Sequence, residues 1–116
     1  MEGTAEITVP SAERFILKRK SVIPIIFALR QNYPNPFNPV TTLRYDLPED
    51  NLVILTVYDM LGKEITKLVN TYQGAGFKAV QWDATDAMGK SVGAGVYLYQ
   101  IQAGEFVQTK KMVLLK

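Results

Sequence analysis

From Thr41 to its end the chain never sustains a helical apolar stripe for more than about two turns. Instead it alternates apolar and polar residues in short runs separated by Gly, Asp and Asn clusters. That spacing suits antiparallel strands that bury one face and wet the other. Leu43, Tyr45 and Leu47 alternate with Thr42, Arg44 and Asp46 as far as Pro48, and Val53, Leu55 and Val57 share one face of Leu52–Asp59 with Tyr58 on the other. Met60-Leu61-Gly62-Lys63 reads as a turn, because Gly62 accepts positive φ, and Glu64–Val69 as its hairpin partner. Asn70–Gly76 reads as a loop, Phe77–Trp82 as a strand anchored in the core by Trp82, and Asp83–Gly95 as a long loop. Alternation resumes through Tyr97, Tyr99 and Ile101, and Ala103-Gly104 turns the chain into a last strand within Glu105–Lys116. The fold expected is all-β, an immunoglobulin-like antiparallel β-sandwich of about seven strands, in meander or Greek-key order.

Composition narrows the function. The 116 residues contain no histidine and no cysteine. Ser-His-Asp and Cys-His catalysis and thiolate metal sites are therefore unavailable, and the commonest general base is missing. The chain is expected not to be an enzyme, to use no cofactor and to take no small-molecule substrate. Its 13 basic and 11 acidic residues leave a net charge of +2, without the sustained positive surface that holds a nucleic acid. The apolar run Val22–Leu29 is interrupted by Pro24 and lacks a small-residue cleavage pattern after it. It is also far shorter than the ~20 residues that cross a bilayer. An export signal, where one acts on this protein, is expected upstream.

The first forty residues read differently. Ala5–Val9 and Phe15–Lys18 are β-prone, and Pro24 and Pro34 interrupt the chain between them and Thr41. Residues 1–30 are read as terminal strands of a preceding domain plus a linker, and 31–116 as the domain proper. Unpaired β-prone strands invite pairing with a second copy, so self-association through residues 1–30 is a second expectation. Between the two parts lies Gln31-Asn32-Tyr33-Pro34-Asn35-Pro36-Phe37-Asn38-Pro39. Proline at every second or third position fixes φ and biases its neighbours out of helical space. The residues Asn32, Tyr33, Pro34, Asn35, Pro36, Phe37, Asn38 and Pro39 are read as an extended clasp, docked by Tyr33 and Phe37, with a plain linker as the alternative.

These residues carry a resemblance. Leu29-x-Gln31-Asn-Tyr-Pro-Asn-Pro-Phe-Asn-Pro39, Val57-Tyr58-Asp59-x-x-Gly62-Lys63, Ala75-Gly76, Trp82-Asp83, Gly89-Lys90, Gly95-Val96-Tyr97 and Lys111-Met112-Val113-Leu114-Leu115-Lys116 occur in an order and spacing that resemble the type IX secretion system C-terminal sorting domain. Trp82-Asp83 and Gly95-Val96-Tyr97 are shared with the Ig-like domain of the flagellar hook-capping protein, which speaks for the fold more than for the function. The resemblance implies a module at the C-terminus of an exported cargo, recognised by an outer-membrane translocon and commonly removed by a cell-surface sortase, so that the cargo reaches the cell surface or the medium. Its recognition elements fall on Gly95, Tyr97, Gly104, Lys111, Met112, Val113, Leu114, Leu115 and Lys116. Ala84 stands where the family commonly has glycine, and Gly93 where it has a small polar residue.

Two features stay open at this level. Met112–Leu115 is apolar on both strand faces, framed by Lys110, Lys111 and Lys116. It is either an edge strand that a partner can extend or a buried last strand with solvating lysines. Asp83 and Asp86, with Asp59 as a further carboxylate, are either turn caps or a weak Ca²⁺ candidate in the 83–89 loop. The rival function is a structural or adhesive module that assembles through its N-terminal strands.

Overall fold

The computed structural model describes residues Val22–Lys116. The stretches Ala5–Val9 and Phe15–Lys18 lie outside the described residues. Seven strands form in the order β1 (Ala28–Leu29), β2 (Thr41–Leu47), β3 (Asn51–Asp59), β4 (Glu64–Gln73), β5 (Gly76–Trp82), β6 (Gly95–Ala103) and β7 (Phe106–Leu114). They make two antiparallel sheets, β1-β2-β5 and β4-β3-β6-β7, stacked as a sandwich. β3 pairs with β6 as well as with β4, so the chain crosses between sheets and is not a simple meander.

The alternation read from the sequence is the alternation of burial. Leu43, Tyr45 and Leu47 face inward from the first sheet, and Val53, Leu55, Val57, Tyr99 and Ile101 meet them from the second. Trp82 closes one end of this core. Its ring meets Phe37 at 5.9 Å and Tyr97 edge-on at 5.4 Å, geometries that suit aromatic quadrupoles, and its Nε1 donates to the Thr85 carbonyl at 2.8 Å. Ala84, beside it, is buried with φ 63, so the glycine common there in the family matches a left-handed backbone that this chain fills with a side chain.

Three expectations change. Asn70–Gln73 is not loop but the end of β4, because each of its residues pairs with Asn51–Ile54 of β3. Its polar composition reflects an edge strand facing water, and only Gly74-Ala75 turns, with the Ala75 N–H donating to Asp50 Oδ1 at 2.9 Å. Ala28 and Leu29, in the stretch read as linker, pair with Asp46 and Tyr45, and Leu29 is buried in the core. The clasp bends at 34–36 and again at 38–39 instead of running extended. Phe37 is buried as expected, but Tyr33 is 74% exposed and joins β2 only through its backbone.

The last strand divides cleanly. Met112 and Leu114 point into the core, Val113 is half-buried on the outer side, and Leu115 is 52% exposed. Met112→Ala is expected to lower the unfolding free energy by about 2–5 kcal/mol, because it opens a cavity. Leu115→Ala should change it by less than about 0.5 kcal/mol. Urea denaturation of the two variants checks the split.

Candidate functional site

The segment read as a clasp and the segment read as a tail meet along one edge. β7 is the outer strand of its sheet, so its odd residues turn backbone groups away from β6. Near the chain end these groups are taken by the clasp. Gln31 Nε2 donates to Lys111 O at 2.8 Å, Val113 N to Asn35 Oδ1 at 2.9 Å, Phe37 N to Val113 O at 3.0 Å, and Leu115 N to Phe37 O at 2.8 Å. Phe37 and Leu114 thereby form a parallel bridge. The edge is closed from Lys111 to Leu115, and strand addition there would have to displace the clasp. Sequence pattern does not show this closure, because the residues that meet lie 76 to 80 positions apart.

The clasp is itself held by buried polar groups. Asn32 is buried, its amide donates to Thr41 Oγ1 at 3.0 Å and to Pro34 O at 3.2 Å, and Thr41 Oγ1 donates to Pro34 O at 2.8 Å. The Tyr99 hydroxyl lies between two backbone groups of the entering chain, accepting from Asn32 N at 2.8 Å and donating to Arg30 O at 2.7 Å. Arg30 ion-pairs with Asp46 beside it. Bends that would otherwise leave backbone groups unpaired are satisfied by side chains of the sandwich, which is why the clasp folds back instead of standing off as a linker.

The residues read as recognition elements separate into groups. Tyr97, Met112 and Leu114 are buried in the core of the folded domain, and the Tyr97 hydroxyl donates to Gly93 O at 2.6 Å. Gly95 lies opposite Leu114, at the same end as the tail. Gly104 is at the other end, in the β6–β7 turn at φ 61, where a Cβ would stand 2.8 Å from Asn51 Nδ2. Lys111, Leu115 and Lys116 are exposed and Val113 is half-exposed. The group that meets solvent together is thus Lys111, Val113, Leu115 and Lys116, bordered by Gln31 and Asn35 of the clasp.

The acidic candidates are engaged in turns. Asp86 Oδ1 accepts from Met88 N and Lys90 N, both at 2.9 Å. The Lys90 N–H foremost holds its carboxyl below the usual carboxylate range. Asp59 Oδ1 accepts from Leu61 N and Lys63 N at 2.9 Å, and Asp83 accepts from the Thr85 hydroxyl. Among the described residues no group of three or more His, Cys, Asp or Glu comes together.

Burial pushes the Tyr99 hydroxyl from 10.0 up to about 12, against a smaller lowering by the Asn32 N–H. A proton held more tightly in the folded chain stabilises the fold below the unfolded value, and that contribution is lost as pH rises through the folded value. Stability from this group should therefore fall between pH 10 and about 12. Tyr99→Phe leaves Arg30 C=O and Asn32 N–H without a partner and should cost about 1–3 kcal/mol at neutral pH. The variant should also show a shallower alkaline loss, read as melting temperature against pH.

Known proteins share this outline. The family model described as "Secretion system C-terminal sorting domain" matches residues 31–115. Among solved structures, dimeric latent PorU from Porphyromonas gingivalis aligns with TM-score 0.62 and 21% identity over 82% of this chain and 10% of that one. PorZ from the same organism, described as an essential bacterial surface component of its type IX secretion system, aligns with TM-score 0.52 and 18% identity over 78% of this chain and 11% of that one. FlgD from P. aeruginosa aligns with TM-score 0.52 and 24% identity over 64% of this chain and 57% of that one. At these identities the likenesses speak for the fold alone, and the chain spans about a tenth of the two P. gingivalis proteins. No curated protein matches the chain.

Proposed function

The chain belongs to the family of secretion-system C-terminal sorting domains, and we propose that it directs a larger cargo through the outer membrane by the type IX route, read through its tail. Domains of this family are sorting signals, not catalysts, and mark proteins exported to the cell surface or extracellular space. The reader and the fate of the signal go beyond family membership. An outer-membrane translocon binds the exposed tail group Lys111, Val113, Leu115 and Lys116, and a cell-surface sortase then acts on the chain N-terminal to the clasp. Residues 31–116, with β1 at Ala28–Leu29 added to their first sheet, are the sorting domain, and the residues before β1 join it to the cargo. The observation that carries this reading is the match over residues 31–115, together with a chain end that is fixed in position while its outer side chains stay solvent-facing.

Fusing residues 1–116 to a periplasmic reporter should place the reporter on the surface of a host that has the machinery. Deleting Met112–Lys116 should leave it in the periplasm. Export of that truncation at the parental level would overturn the assignment of the tail.

A second reading has its own observation. Val22, Ile23, Ile25 and Ile26 are all exposed, Ile25 by 91%, directly before Phe27, whose ring stacks on Phe106 at 5.2 Å. An apolar stretch in water next to a sheet edge suits assembly between copies at the cell surface. Analytical ultracentrifugation should then show concentration-dependent oligomers that disappear when residues 1–26 are removed, a cut that spares Phe27 and β1. A monomer at all concentrations contradicts this reading.

A further inference from the structure

The outer face of the four-stranded sheet carries side chains that the core does not use. On β6 the residues Tyr97, Tyr99 and Ile101 point inward, so Val96 and Leu98 point out, each half-buried. The register sets Leu98 directly opposite Tyr58 of β3 and Lys111 of β7, and sets Val96 opposite Val113. Side chains opposed in this way have Cβ atoms about 4.5–5.5 Å apart. Tyr58, Leu98, Val96 and Val113 therefore form an apolar strip across three strands, which Leu115 extends to the chain end.

The charges around the strip have one sign on the tail side. Gly95–Ala103 contains no Asp, Glu, Lys or Arg, and Phe106–Lys116 has no acidic residue and brings Lys111 and Lys116 to the strip, Lys110 lying opposite the inward Tyr99 on the other face. The clasp, from Gln31 to Pro39, is free of acidic residues as well. On the far side Glu64, opposite Tyr58, is tied to Lys67 at 2.8 Å. An apolar centre with a charged rim is the anatomy of a protein interface. Of the strip's residues only Leu115 is more than half exposed, whereas insertion into a bilayer surface calls for an apolar face that can sink below the headgroups.

We infer that this strip, Tyr58, Val96, Leu98, Val113 and Leu115 with Lys111 and Lys116 at its rim, is the docking face for an apolar, acid-rimmed patch on a protein of the export machinery. The tail is then read through the face of its sheet and not by addition to its edge, which the clasp already closes. This rests on the sorting reading and goes beyond it in placing Tyr58, Val96 and Leu98, outside the tail, in the recognition surface.

The test uses the full 1–116 chain as a reporter fusion and as a purified protein. Val96→Thr with Leu98→Thr removes apolar surface while keeping strand-compatible side chains, and Lys111→Glu with Lys116→Glu reverses the rim at exposed positions that the core does not depend on. Both double variants should keep the parental melting behaviour and lower surface display at least about tenfold, the factor set by roughly 1.4 kcal/mol of lost binding. Should the threonine pair fail to fold, the lysine pair carries the test. Parental display by both folded variants, with the unaltered chain displayed, overturns the inference and leaves the sorting reading standing. Absence of display for the unaltered chain overturns the sorting reading itself. Binding of the purified chain to phosphatidylglycerol vesicles that is lost in both variants would assign the face to lipid and overturn the protein partner.

Discussion

The pairing of the clasp with the last strand is the interaction on which the rest of this domain depends. It joins the segment that enters the sandwich to the segment that ends it. Phe37 sits at the junction, with its ring against Trp82 in the core and its backbone bonded to Val113 and Leu115. Without the clasp, β7 would present an unpaired edge from Lys111 onward, and the end of the core around Trp82 and Leu114 would lose its lid. Exposed edges of this kind invite uncontrolled pairing, and covering one with a loop of the same chain is a common remedy.

The covered edge also shapes what the tail can offer a partner. Backbone groups of Lys111, Val113 and Leu115 are committed to Gln31, Asn35 and Phe37. Met112 and Leu114 are committed to the core. What remains is the outward set of side chains on a rigid sheet. The geometry of residues 113–115 is set by Asn35 and Phe37, nearly eighty positions earlier.

Much of the sandwich was legible in the sequence because its strands alternate strictly. Tyr97, Tyr99 and Ile101, or Val53, Leu55 and Val57, declare an inner face by period alone, and Gly62 marks its turn. The end of β4 was not legible, because Asn70 and Thr71 are polar edge residues whose strand identity comes from pairing with β3. β1 was hidden for the opposite reason: two residues are too few to show a period, and Leu29 is fixed by its partner Tyr45. At the candidate site, family resemblance singled out the tail but not its sorting into inner and outer residues. Tyr97 looks like a recognition residue in a motif and is a core residue in the fold. The bonds of Asn32 to Thr41 and Tyr99 depend on tertiary proximity, which no local pattern encodes.

The central claim is that the clasp seals the edge of the last strand in the folded domain. Amide hydrogen exchange measured residue by residue on the 1–116 chain tests it directly. The account predicts that Val113, Leu115 and Phe37 amides exchange slowly, with protection close to that of core amides such as Ile101 and lost together with it in denaturant. Fast exchange at Val113 and Leu115 while Ile101 stays protected would contradict it, and would describe a free edge beside a loose linker.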